Sequence, residues 1–376
     1  CSVCASMGVT AFLAVALDKT MRRKKATEHA PDVAPRRLRD LHPLDALTVL
    51  LANFKALTGP YLFGQSDASI MRALTWIERP FLIFAFWVAG ALLPFARLAS
   101  RVGVQSRDDA LSSREPARAI AVRVHEAPQN GPDAPVVLWF HGGGLFLGSA
   151  RGEDVLARYF AARLKATVVS VDYRLTPEYP WPSALDDCED SARAAATRWP
   201  RRPMLVAGMS AGGYYAIQLA LVLAHAASSD AAPRVDVRGH VAIAPMVGPF
   251  THFDSVGACW ELALFPHRAI HFGWSKLLRS APLPHKWDWR ISALLASDDQ
   301  LRRIAPGIVT YHHFDTLCDE GRLYAERLEA VGRLAAGARM PYPHGSSVGM
   351  GHVLSWAASE MESLLGASAS AASHKT

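Results

Sequence analysis

The sequence predicts an α/β fold, with a mostly parallel central sheet and helices on both faces. Three observations predict it. From about residue 117 onward, short apolar runs alternate with longer segments whose apolar residues recur at helical spacing, the pattern of repeated βα units. The apolar runs are bounded by Gly, Pro, Asn and Asp, which end strands and start turns. The chain has 376 residues, 50% of them hydrophobic and 20% charged, enough for one large domain and an appendage.

The elements follow in order. Residues 119–124 read as a β-run, and the turn-rich stretch 126–135 separates them from an apolar run at 135–140 that reads as a buried strand. Residues 153–165 have helical spacing, 166–171 are a strand, and 184–199 a helix. Residues 204–207 form a short apolar strand, and 214–225 a long helix-forming run. Strands are then expected at 240–244, 308–312 and 338–342, and helices at 319–331 and 353–365. Residues 245–300 interrupt the alternation and are rich in Trp, Phe, His and Pro. They are expected to form a helical cap inserted into a domain spanning 101–365. Residues 366–376 are small and polar and are expected to be a disordered tail.

Residues 1–100 form a separate hydrophobic extension. An apolar run at 7–17 is too short to span a bilayer, and its basic cluster Arg22-Arg23-Lys24-Lys25 follows it rather than precedes it, unlike a secretory signal. Residues 81–96 carry no charge and are rich in Phe, Trp, Leu and Ile. Two readings stand: a cap helix packed over the mouth of a site, or a membrane or interfacial anchor. The net charge is +6 and the pI about 9.1. No nucleic-acid-binding motif accompanies the basicity, which reads as solubility or attraction to an anionic membrane surface. Five cysteines at scattered positions (Cys1, Cys4, Cys188, Cys259 and Cys318) match neither a disulfide framework nor metal-ligand spacing. A reducing compartment, cytoplasmic or membrane-associated, is the expected home. Nothing in the sequence sets an oligomeric state.

The chemistry is concentrated in a few motifs. Gly208-Met209-Ser210-Ala211-Gly212-Gly213 lies between the strand at 204–207 and the helix at 214–225. A strand, G-x-S-x-G and a helix make a turn tight enough to require Gly on both flanks. The turn lifts the serine hydroxyl clear of the sheet and aims a helix N-terminus at developing negative charge. Ser210 is therefore the candidate nucleophile, and the N–H of Ala211, just after it, the first expected oxyanion donor. Upstream, the strand at 135–140 runs into His141-Gly142-Gly143-Gly144. Consecutive glycines let backbone N–H groups converge on one point, as an acyl-transfer site needs where the tetrahedral oxyanion forms.

Further blocks follow the same order along the chain: Asp172-Tyr173-Arg174-Leu175-Thr176-Pro177-Glu178, Pro182-Ser183-Ala184-Leu185-Asp186-Asp187, Asp288-Trp289-Arg290-Ile291-Ser292-Ala293-Leu294-Leu295, and Asp315-Thr316-Leu317-Cys318-Asp319-Glu320-Gly321. Together with the two glycine motifs they resemble the hormone-sensitive-lipase-like branch of the α/β-hydrolases, which includes many microbial carboxylesterases. The likeness covers roughly residues 118–360 and leaves out the first hundred. One departure lies at the elbow, where the family usually has Asp and this chain has Met209. Met209 is expected to alter packing or substrate fit.

The resemblance implies an α/β-hydrolase fold and a serine hydrolase of carboxylic esters, small-molecule or lipid, with no cofactor and no metal. It implies Asp315 as the triad acid, Gly143 and Gly144 as the other oxyanion donors, His141 as a brace for the glycine loop, and Asp172, Arg174 and Glu178 as structural ion-pairing groups. Two histidines compete for the base. The family spacing counted from Asp315 lands near His344, whereas Gly349-Met350-Gly351-His352 matches the family's local pattern and precedes a helix. The local pattern makes His352 the favoured base, with His344 the alternative. His312 and His313 read as structural. The alternatives to an esterase are an arylformamidase-like amidase, and a ligand receptor on the same scaffold, like the gibberellin receptors, which resemble the family but lack the working histidine.

Overall fold

The computed structural model describes residues 96–226, 235–249, 253–259, 267–281, 289–345 and 349–373. Expectations for 1–95, including both apolar runs there, lie outside these residues. Among the described residues no helix is long and apolar enough to cross a membrane.

One eight-stranded sheet organises the chain, with spatial order β1-β2-β4-β3-β5-β6-β7-β8. A short helix, α1 (Ala96–Val102), leads into β1 (Gln105–Ser112) and β2 (Ala119–Glu126). These two strands pair antiparallel, and β2 pairs antiparallel with β4 (Thr167–Val171). From β4 onward all pairings are parallel, through β3 (Val136–Phe140), β5 (Met204–Met209), β6 (Val237–Ile243), β7 (Gly307–Phe314) and β8 (Leu334–Pro343). Helices cover both faces. They are α2 (Asp154–Leu164), α3 (Ser183–Arg198), α4 (Ala211–His225), α5 (Asp254–Ala258), α6 (His267–Leu277), α7 (Asp298–Leu301), α8 (Cys318–Ala330) and α9 (Met350–Ser373).

Strands β3 and β5 carry no polar side chain, and β4 only Thr167 and Ser170, because both of their faces are covered. In β3, Val136, Leu138 and Phe140 join a core with Cys188 and Ala192 of α3 and Tyr214, Tyr215 and Leu219 of α4. Val137 and Trp139, pointing the other way, join a second core with Phe160 of α2 and Val353, Leu354, Ala357 and Met361 of α9. The strand's period of two sorts one continuous apolar run between two helical layers. Each such aliphatic or aromatic side chain gains about 1.5–3 kcal/mol by leaving water. A third core joins Ile217 and Leu221 of α4 to Val309 of β7 and to Tyr324 and Leu328 of α8.

Polar groups fix the connections between these layers. Asp187 of α3, fully buried, accepts both terminal nitrogens of Arg118 at 2.7 and 2.9 Å and also binds the Arg174 guanidinium at 2.9–3.1 Å. The Arg174 of the sequence block thus enters a buried ion pair, as expected, and its partner comes from the neighbouring block. Asp172 accepts the Ala150 N–H at 2.6 Å.

Three differences from the sequence reading stand out. Strand β1 is an added edge strand, with mostly exposed residues. Strand β8 starts at Leu334, four residues before the expected 338. Helix α9 runs to Ser373, through the stretch expected to be a disordered tail. Ala is the strongest helix former, so an Ala-rich polar stretch continues a helix already nucleated upstream. In the expected cap, α6 lies on the glycine loop: a Cβ on Gly273 would fall 2.0 Å from the Gly144 carbonyl oxygen.

Candidate active site

Ser210 occupies the single residue between β5 and α4, at φ +57° and ψ −118°. A non-glycine residue in that region is strained, and the surroundings enforce it. The Ser210 N–H donates to Ile243 O at 2.9 Å, and the Ser210 carbonyl accepts the N–H groups of Tyr214 and Met246, each at 3.1 Å. Both flanking glycines are required. A Cβ on Gly208 would meet the Gly212 carbonyl carbon and oxygen at 2.4 Å, and one on Gly212 would fall 1.9 Å from Phe140 O. Close approach of β3, β5 and α4 at this point sets the G-x-S-x-G spacing. Met209 is buried, in the same core as Met350 and Val353 of α9.

The glycine loop follows β3 and lies beside the elbow: a Cβ on Gly142 would be 3.5 Å from Ser210 Cβ. Gly143 and Gly144 both have positive φ, +130° and +60°. At Gly143 a Cβ would come within 2.1 Å of Leu147 O. The Gly143 carbonyl accepts Leu147 N–H at 2.8 Å, closing the loop on itself. Among the described residues no acceptor takes the N–H of Gly143 or of Gly144. The N–H of Ala211 belongs to the first turn of α4, whose donors have no partner within the helix. His141 is buried and stacks on Tyr173, with ring centroids 4.3 Å apart. The Tyr173 hydroxyl donates to His141 O at 2.6 Å. Burial holds the His141 imidazole below its usual basicity, which suits a bracing role.

Asp315 follows β7 and His344 follows β8, two parallel neighbours in which Phe314 pairs with Pro343. Adjacent carboxyl ends therefore bring the two side chains together, Asp315 Oδ2 lying 2.7 Å from His344 Nδ1. Asp315 Oδ1 accepts the Leu317 N–H at 2.9 Å, and both side chains are buried. Burial pulls the His344 imidazolium towards deprotonation, but the Asp315 carboxylate outweighs it and raises the histidine above its ordinary value.

The favoured base, His352, is not the histidine that meets Asp315. It is exposed in the first turn of α9, where its Nδ1 lies 3.1 Å from the Tyr342 hydroxyl. Its Gly-Met-x-His pattern has a packing origin. Met350 and Gly351 are already helical, and a Cβ on Gly349 would strike the Tyr342 ring at 2.2 Å. Trp274 of α6, from the aromatic-rich stretch 245–300, is buried against Tyr214, with ring centroids 5.0 Å apart.

Two buried carboxyls escaped the sequence reading. Glu153 accepts the Gly142 N–H at 2.8 Å and the Trp139 indole N–H at 2.7 Å, and burial raises it to about 7. Glu320 accepts the N–H groups of Val247 and Gly248, both at 3.0 Å, and burial raises it to about 8. An acid at a helix start complements the dipole, so neither position stands out in the sequence. Among the described residues no group of His, Cys, Asp and Glu could hold a metal ion. Cys188, Cys259 and Cys318 are buried thiols.

Comparison with known proteins agrees with this architecture. A family model described as the α/β-hydrolase fold matches residues 137–342. The chain is 35% identical over 157 residues to a versiconal hemiacetal acetate esterase of Emericella nidulans, covering 42% of this chain and 50% of that protein. It is 31% identical over 233 residues to an ethyl acetate hydrolase of Pseudomonas putida, covering 60% and 70% respectively. The chain spans half the length of the first of these curated relatives and as little as 35% of another. The solved structure of a thermostable carboxylesterase from a metagenomic library superposes with a TM-score of 0.61 at 28% identity, over 72% of this chain and 94% of that one. With its sheet order, its serine elbow and the family match over more than half its length, the chain belongs to the α/β-hydrolases, in the hormone-sensitive-lipase-like branch of carboxylesterases.

Proposed function

We propose that the chain is a serine hydrolase of carboxylic esters in which Ser210, His344 and Asp315 form the triad and Gly143, Gly144 and Ala211 supply the oxyanion donors. The observation that carries this reading is the buried 2.7 Å pair of Asp315 and His344, at the same sheet edge as the strained Ser210 elbow. The ester activities of similar proteins support the choice of bond.

The Asp315 carboxylate fixes the proton of His344 on Nδ1, leaving Nε2 as the base. Nε2 takes the proton of Ser210 Oγ as the oxygen attacks the ester carbonyl, and the carbonyl oxygen becomes the oxyanion. The tetrahedral intermediate collapses, the bond to the alkoxy oxygen breaks, and the alcohol leaves with the proton from His344. Water, deprotonated by the same Nε2, then attacks the acyl-enzyme, the carboxylic acid departs, and Ser210 recovers its proton. A scaffold serving only as a receptor has no use for a buried, carboxylate-paired histidine at this edge.

The test is turnover of p-nitrophenyl esters, from short to long acyl chains, together with labelling by a fluorophosphonate probe. Wild-type protein is expected to hydrolyse the esters and to label. Ser210→Ala should fold normally, stay unlabelled and lose on the order of 10⁴ or more in rate. Folded wild-type protein that neither turns over nor labels would overturn the reading.

A further inference from the structure

Glu153 is an unusual group to find under a glycine loop. It immediately precedes α2, is buried, and its two oxygens accept from two neutral donors on one connected piece of chain: the Trp139 indole at 2.7 Å and the Gly142 N–H at 2.8 Å. No cation is among the groups that act on its ionisation. A buried carboxylate without a cation is costly, and a neutral acceptor could serve Trp139 alone. What the carboxyl adds is a hold on both ends of the segment that leaves β3 and enters the loop.

The loop's other restraints act on other atoms, beginning with His141 Nδ1, which lies 2.8 Å from the Gly142 carbonyl oxygen. Tyr173 holds the His141 carbonyl, the Gly143 carbonyl accepts Leu147 N–H, and Leu145 O accepts Thr176 N–H at 3.0 Å. The Gly142 N–H is the last amide before the two that no described residue accepts. A Cβ on Gly142 would lie 3.3 Å from Glu153 Oε1 and 3.5 Å from Ser210 Cβ. The carboxyl and the nucleophile therefore flank the same residue. Glycine peptides rotate freely about φ and ψ, so the plane of the Gly142 amide has to be fixed from outside if the next two N–H groups are to be aimed.

We propose that Glu153 is a positioning residue for the oxyanion loop: by accepting the Gly142 N–H while anchored on Trp139, it orients the Gly143 and Gly144 amides towards the developing oxyanion. The inference rests on the serine-hydrolase reading. Because the oxyanion exists only after attack, a misaimed loop should cost kcat and leave KM nearly unchanged.

The experiment compares wild type, Glu153→Gln and Glu153→Met on one short-chain p-nitrophenyl ester, with melting temperatures and fluorophosphonate labelling measured in parallel. Wild-type turnover that Ser210→Ala abolishes establishes the hydrolase first, so a failure of that reading shows as no turnover before any Glu153 variant is considered. Glu153→Met keeps the length of the side chain and removes both acceptors. It is expected to lower kcat about 10- to 100-fold, up to the cost of a group misplaced by about 1 Å and below the roughly 10²–10³ of a donor lost outright, with KM within about twofold of wild type. Glu153→Gln keeps one acceptor oxygen and should fall between the two. Wild-type kcat in both variants would overturn the proposal. So would losses in which kcat merely tracks the fraction of folded protein, because a brace for the fold alone would leave turnover per folded molecule intact. If Glu153→Met does not fold, Glu153→Gln decides by the same two readouts.

Discussion

At Ser210, Asp315 and His344 each residue's conformation follows from a backbone constraint rather than from its own chemistry. Ser210 takes positive φ because the glycines either side of it lie in contact with neighbouring backbone. His344 meets Asp315 because β7 and β8 are parallel neighbours in register. His344→Ala should therefore cost about as much as Ser210→Ala, on the order of 10⁴ in kcat/KM, while His352→Ala should cost tenfold or less. The acid limb of kcat/KM should have its midpoint above the ordinary histidine value of about 6.5, because Asp315 raises His344. An inactive His352→Ala beside a nearly normal His344→Ala would reverse the assignment. The sequence offered both histidines. The glycine and methionine before His352 also meet the Tyr342 ring and the start of α9, a contact no local pattern reveals.

Among the elements, strands buried on both faces and helices with a clear apolar stripe were legible. The runs at 135–140, 166–171 and 204–207 fall on β3, β4 and β5 within a few residues. Strand β1 was not legible. Its Arg107, Asp108 and Asp109 point to solvent or into ion pairs, and only Leu111 is buried, so its strand character comes from pairing with β2. Glu153 was hidden for a related reason: an acid at a helix start has a sufficient local explanation, and only the fold brings it under Gly142. The glycine loop was legible as a motif, and the structure adds why its glycines are needed. Gly143→Ala puts a side chain at φ +130° and 2.1 Å from Leu147 O, so the loop must move. Loss of one aligned donor costs about 10²–10³ in kcat, with KM nearly unchanged. A variant whose KM rises while kcat holds would show that the loop grips the substrate before attack instead.

For the whole molecule, buried ionisable groups set opposing limits on stability. His125, His240 and His312 are buried, and burial lowers them to about 3, 4 and 4. A lowered histidine contributes stability above its unfolded value of about 6.5, and that stability is lost as pH falls towards its folded value. Glu153 and Glu320 are raised to about 7 and 8 by burial. A raised carboxyl contributes fully below its unfolded value of about 4.3, and its contribution is lost as pH rises through the folded value. His344, raised by Asp315, has the same sign as the two glutamates. Near pH 5.5 the unfolded chain binds more protons, through these three histidines and His141, which burial also lowers. Above pH 7 the folded chain binds more, through the glutamates and His344. The melting temperature should therefore peak near pH 6–6.5 and fall on both sides. A net difference of about one proton corresponds to about 1.4 kcal/mol per pH unit, or on the order of 3–5 °C per unit for a domain of this size. Calorimetry from pH 4.5 to 8.5 checks this, with Glu320→Gln as the control that should steepen the rise on the acid side, flatten the alkaline side and move the peak to higher pH. A melting temperature that rises steadily from pH 5 to 8 would mean that the two glutamates are far less desolvated in solution than their surroundings of apolar side chains and neutral N–H donors require.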